Sequence, residues 1–202
     1  MSRLRVIGIA AALGVAIGAA GAVGFALLQP GAPEGLRQQM GIADIGGPFT
    51  LTDEDGKTVT EADLLGKPTV VYFGFTYCPD VCPTTLYELT GLIERLGTEA
   101  DKLNFVFVSV DWERDKPADL KRYTSAFDAR IRGLSGTEEQ IEQVAKAYKI
   151  YYRRVPTDDG YTIDHTASVF LMDKDGKFVG TLAYGEDADT MLKKLENLAD
   201  KA

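Results

Sequence analysis

The segment Pro68-Thr69-Val70-Val71-Tyr72-Phe73-Gly74-Phe75 constrains the fold more than any other, because a continuous β-branched and aromatic run reads as a strand buried on both faces. It leads straight into Tyr77-Cys78-Pro79-Asp80-Val81-Cys82-Pro83, which holds the chain's only two cysteines. Beyond them Leu86, Leu89, Ile93 and Leu96 fall at helical spacing, and Asn104 to Val110 is a second central strand. The cysteines therefore sit in the turn of a strand-helix-strand unit.

The flanking segments extend this unit in both directions. Pro48 to Thr52 and Lys57 to Thr60 alternate around Asp53-Glu54-Asp55-Gly56, a hairpin signal, and a short helix follows over Glu61 to Leu65. Pro117 to Phe127 and Thr137 to Tyr148 read as helices, and Ser168 to Met172 and Phe178 to Leu182 as strands around Asp173-Lys174-Asp175-Gly176. Ala188 to Leu198 closes the chain as an amphipathic helix. A mixed central sheet flanked by helices, with an N-terminal β-hairpin, is an α/β fold with the element order of a thioredoxin-like domain. The cysteine turn then lies at the carboxyl end of the sheet, where such folds place their sites.

At 202 residues the chain has room for one domain and a tail or anchor. From Val6 to Leu28 there is no charged residue, and as a helix that stretch is roughly 35 Å long, enough to cross a bilayer. A cleaved signal peptide is the rival reading, with Ala20-Gly21-Ala22 as its cleavage site, but its apolar stretch is usually only about 7–15 residues long. The expected organisation is an anchor over 1–28, a Pro/Gly linker over 29–43 and the folded domain over 44–202.

Arg3 and Arg5 precede the apolar run and keep the start of the chain on the cytoplasmic side, which places the domain outside the cytoplasm. Only five residues stand before the run, too few for a transit peptide. The expectation is a bacterial inner membrane with the domain in the periplasm. Without residues 1–28 the chain carries 20 Lys and Arg against 30 Asp and Glu, and this acidic balance argues against nucleic acid as a partner.

Two thiols and one histidine, His165, are soft and borderline donors that suit copper better than magnesium, calcium or manganese. Pro83 fits the first position of a helix, with Cys82 at its cap and Cys78 in the loop before it. Both sulfurs then face unsatisfied N–H groups and the positive helix end, which favours thiolate. A purely structural disulfide closing so small a loop removes little chain entropy. Haem attachment needs a histidine after the second cysteine, where Pro83 stands, and a closed zinc site needs four ligands. A lone histidine is more often a surface or core residue than a ligand. His165, however, lies just ahead of a core strand, where a loop can bring it to the cysteines. Asp164 is a candidate to orient the imidazole, although neighbours at the start of a strand point to opposite faces.

Tyr77-Cys78-Pro79-Asp80-Val81-Cys82-Pro83, Val110-Asp111-Trp112-Glu113-Arg114-Asp115 and Asp164-His165-Thr166 together resemble the Sco/SenC proteins, over roughly residues 44–200. The resemblance implies copper bound as Cu(I) or Cu(II) by Cys78, Cys82 and His165. It also implies a role in assembling the binuclear copper centre of cytochrome c oxidase, with the copper-bearing oxidase subunit as partner and another copper chaperone as a further candidate partner. Trp112 departs from the proline usual there. Oxidation of Cys78 and Cys82 to a redox-active disulfide would abolish the site.

The competing class is a membrane-tethered thiol-disulfide oxidoreductase acting on an oxidase subunit or another client. Against a generic one stand the three-residue spacing of the cysteines and the lack of any proline after Pro156. A peroxiredoxin lacks support because Phe75 and Pro79 occupy the positions where those enzymes have threonine. Asp80 reads as a loop-shaping or partner-facing acid.

Overall fold

All six residues of the strand Thr69–Gly74 are buried, as a continuous apolar run requires. A computed structural model describes residues 44–202, and the expected anchor and linker lie outside the described residues. Among the described residues no helix is long and apolar enough to cross a membrane.

In chain order the elements are β1 (Thr50–Asp53), β2 (Thr58–Thr60), β3 (Thr69–Gly74), α1 (Val81–Leu96), β4 (Asn104–Ser109), α2 (Pro117–Thr124), β5 (Ile131–Ser135), α3 (Glu138–Tyr148), β6 (Tyr152–Thr157), β7 (Gly160–His165), β8 (Val169–Met172), β9 (Phe178–Leu182) and α4 (Ala188–Ala199). Short 3-10 turns occupy Glu61–Leu64 and Gly97–Lys102. Seven strands form one mixed sheet in the order β2-β1-β5-β4-β3-β8-β9. The pairs β3/β4 and β4/β5 are parallel and the others antiparallel. β6 and β7 pair only with each other, as a separate two-stranded arm.

The core sits beneath the central strands. Tyr72, Phe73, Phe105, Phe107, Leu86 and Ile93 are fully buried, each contributing about 1.5–3 kcal/mol by leaving water. α1 packs beside α4, while α2 and α3 pack on β5 and β1.

Two turns show local sequence setting the backbone. Asp53 and Asp173 each accept from the N–H groups two and four residues on, 2.8–3.0 Å away. Gly56 and Gly176 then take positive φ, +80° and +73°, which glycine adopts without a Cβ clash.

The structure departs from the sequence-based expectations in four places. β5 was not foreseen: Ile131-Arg132-Gly133-Leu134-Ser135 is a weak strand former, held in the sheet by pairing between β4 and β1. The β6–β7 arm was not foreseen either, because Pro156 and two arginines obscure its pattern. α2 ends at Thr124, short of Phe127, with the chain continuing in a tight turn where the Phe127 N–H meets Thr124 O at 2.9 Å.

α1 is the fourth. It begins at Val81 with Asp80 at its cap, two residues ahead of the expected start, so Cys82 lies in the first helical turn and not at the cap. The first four N–H groups of a helix have no intrahelical partner, so Pro83 forfeits nothing there. The first helical bond runs from Thr84 N to Asp80 O at 3.1 Å.

Candidate metal centre

β3 delivers the chain to the cysteine turn, and a buried acid fixes how it leaves the strand. Asp115, fully buried, accepts from Thr76 N at 2.8 Å, Thr76 Oγ1 at 2.6 Å and Ser109 Oγ at 2.5 Å. Burial pushes its carboxyl above the usual range, and the donors from Ser109 and Thr76 pull it back. Cys78 N then donates to Phe75 O at 3.3 Å, turning the chain into α1. The Cys82 N–H, one of the unsatisfied donors at the helix start, points at Cys78 Sγ, 3.3 Å away. Gly74 makes room for this: a Cβ there would stand 2.8 Å from Cys82 Sγ and 2.8 Å from Phe107 Cε2.

His165 arrives from the opposite side, as the last residue of β7 and not in a loop. Strand alternation puts Tyr161, Ile163 and His165 on one face and Asp164 on the other. Asp164 accordingly pairs with Arg153 at 3.2 Å and does not orient the imidazole. Instead His165 Nδ1 lies 2.9 Å from the Thr166 carbonyl oxygen. A carbonyl only accepts, so Nδ1 carries the hydrogen and Nε2 keeps a free lone pair. Nε2 stands 3.2 Å from Cys82 Sγ, and Phe75 and Tyr72 meet the ring in T-shaped contacts at centroid distances of 5.8 and 6.3 Å.

Cys78 Sγ, Cys82 Sγ and a His165 nitrogen thus lie within 4.8 Å of one another. The three residues are positioned to form a metal site. Asp80 is exposed and offers no ligand to this cluster, and Trp112 packs in a T-shaped contact with Tyr152, the cross-strand neighbour of His165, at 6.2 Å.

Both thiols are free, and their charges are unequal. The Cys82 thiol donates to the Cys78 sulfur, and with help from the Asp80 and Cys82 N–H groups this pulls Cys78 down to about 4 against the cost of burial. Cys82 moves the opposite way, its proton held between the two sulfurs and protected by burial. At pH 8 the pair is one thiolate and one thiol, because Cys78 is above its pKa and Cys82 below. A metal bound to both sulfurs should therefore release one proton per ion, from Cys82. Two protons per ion in a pH-stat titration at pH 8 would show that the pair is not asymmetric.

The sequence reading left Asp115 without a role, and neither Thr76 nor Ser109 stood out. The signal available was an acid spaced six residues beyond Ser109, at the end of a buried strand. Its meaning depends on Thr76, 39 positions upstream.

The SCO1/SenC family model matches residues 37–200. Protein SenC of Rhodobacter capsulatus is 44% identical over 132 residues, covering 65% of this chain and 60% of that protein. The chain spans about half the length of the curated relatives it matches, from 46% to 60% for SCO1 homolog 1 of Arabidopsis thaliana, SCO2 of Saccharomyces cerevisiae and SenC. Among solved structures, Bradyrhizobium japonicum ScoI with copper bound is 48% identical with a TM-score of 0.72, over 76% of this chain and 99% of that one. BsSco, a member of the Sco family of cytochrome c oxidase assembly proteins in which a disulfide switch was identified, is 28% identical with a TM-score of 0.62, over 77% of this chain and 94% of that one. With more than three quarters of its length matched, and with the three donors of a metal site brought together from a thioredoxin-like sheet and its arm, this chain belongs to the SCO1/SenC family.

Proposed function

We propose that this protein binds copper through Cys78, Cys82 and His165 and delivers it to the binuclear copper centre of cytochrome c oxidase. The observation that carries this reading is the convergence of two thiol sulfurs and an imidazole nitrogen, 83 residues apart in sequence at the 3.2 Å contact. Thiolates suit Cu(I), and an imidazole beside them extends the set to Cu(II). Three protein ligands leave a position for an incoming ligand, so copper passes to the copper-bearing oxidase subunit by ligand exchange, and arrives in the same way from another copper chaperone. Residues 1–28 anchor the protein in the bacterial inner membrane, and 29–43 hold the domain 44–202 on the periplasmic side.

A second reading has its own support. Cys78 is half-buried and acidified while Cys82 is fully buried behind it, the arrangement of an attacking and a resolving thiol. In that chemistry a client disulfide takes two electrons and leaves as two thiols, while Cys78 and Cys82 become a disulfide.

Copper titration of the reduced full chain tests the first reading. Wild type should take one copper per chain, and His165→Ala should lose most Cu(II) affinity while retaining weaker Cu(I) binding. Equal binding of both ions by His165→Ala would end the three-ligand reading. If the variant loses copper and the cell's oxidase still assembles, delivery fails and thiol reduction takes its place.

A further inference from the structure

β6 and β7 stand outside the seven-stranded sheet, so no sheet ladder fixes His165 over the cysteines. Side chains must do it. Tyr161 shares the inward face of β7 with His165, four residues away and with buried Ile163 between them. Two guanidinium groups meet its ring: Arg114 lies 3.8 Å and Arg154 4.7 Å from the centroid.

These contacts tie the arm to the rest of the site. Arg114 also lies over Tyr77, next to Cys78, at 4.7 Å. Its Nε donates to Asp111 and its Nη1 to the Tyr161 carbonyl at 3.0 Å. The Tyr161 hydroxyl donates to Asp111 Oδ1 at 2.8 Å. From the arm's other strand, Arg154 lies over Trp112 at 4.2 Å and pairs with Glu113 at 2.8 Å. Arg114 Nη2 and Arg154 Nε and Nη2 are buried with no acceptor among the described residues. Ring faces, not oxygens, hold those edges, and cation–π contacts strengthen when water is excluded. The loop from Asp111 to Asp115 therefore grips the cysteine segment through Asp115 and Thr76, and the histidine arm through Arg114 and Tyr161.

We propose that Arg114, Tyr161 and Arg154 are positioning residues for the third ligand, a clamp that keeps His165 within reach of the cysteine sulfurs. The inference rests on the copper-site reading above. Releasing the clamp should turn a three-ligand site into a two-thiolate one without touching a ligand. Cu(II), which depends on the imidazole, should suffer more than Cu(I).

The test compares Cu(I) and Cu(II) affinities of the reduced full chain, together with nitrogen hyperfine coupling in the EPR spectrum of its Cu(II) form. Tyr161→Ala should lose about 10- to 100-fold in Cu(II) affinity, as supporting partners of metal ligands do, with a smaller change for Cu(I) and a spectrum shifted toward that of His165→Ala. Tyr161→Phe, which keeps the ring, should restore the wild-type spectrum. Arg154→Met removes one cation and leaves the Asp111–Tyr161 bond, so it decides the matter if Tyr161→Ala does not fold. Wild-type Cu(II) affinity and spectrum in folded Tyr161→Ala, or in Arg154→Met, would overturn the clamp alone. A wild-type spectrum that His165→Ala leaves unchanged would overturn the clamp and the three-ligand reading together.

Discussion

Oxidation of Cys78 and Cys82 to a disulfide is expected to abolish copper uptake, and reduction to restore it in full. The sulfurs already share a cluster whose donor atoms lie within 4.8 Å, and a disulfide needs them at about 2.05 Å. Cys78 lies in the turn before α1 and Cys82 in its first turn, so the closing movement is local. Once joined, neither sulfur carries thiolate charge, and His165 is left as the only donor of the three. Copper and oxidant therefore compete for one pair of sulfurs. Copper held at 100 times its dissociation constant stabilises the reduced form by about 2.7 kcal/mol, equivalent to raising the reduction potential by about 60 mV. Redox titrations with and without copper measure the shift directly. A potential unmoved by saturating copper would mean that the metal does not use these sulfurs.

Replacing Asp115 with alanine is expected to produce the largest loss of stability of any change near the site that spares the ligands. Its carboxylate takes three hydrogen bonds, from the backbone and hydroxyl of Thr76 and from Ser109. Removing it leaves all three donors without their acceptor, and a donor stranded in a buried site, as that of Ser109 is, costs about 1–3 kcal/mol. A total near 3 kcal/mol lowers Tm by roughly 6–12 °C for a domain of this size. The Thr76 to Cys78 segment loses its tether in the same step, so copper affinity should fall along with Tm. Asp115→Asn keeps one acceptor oxygen and should cost less on both counts. Thermal melts of the two variants decide it, and a change under about 2 °C for alanine would show that the segment is held some other way.

Much of this was legible from local chemistry. The run from Pro68 to Phe75 was legible as a central strand, because β-branched and aromatic residues in such close succession bury both faces. The twin Asp-x-Asp-Gly-Lys turns were legible for the same reason, since each Asp bonds backbone within four residues of itself. The start of α1 was misplaced by two residues because proline was weighed as a helix breaker where the helix has no bond for it to break. β5 and the β6–β7 arm escaped notice because their strand character comes from partners and not from pattern.

The sequence by itself determined which donors this protein possesses: two cysteines at a strand-to-helix turn and one histidine, a set whose softness already favoured copper. Only the tertiary structure decided that they meet, and what keeps them together. A local motif sets its own backbone through bonds that span a few residues. The 3.2 Å approach of His165 to Cys82 rests instead on Asp115 reaching back to Thr76 and on Arg114 reaching forward to Tyr161, 47 residues on. Contacts of that range exist only after the chain has folded.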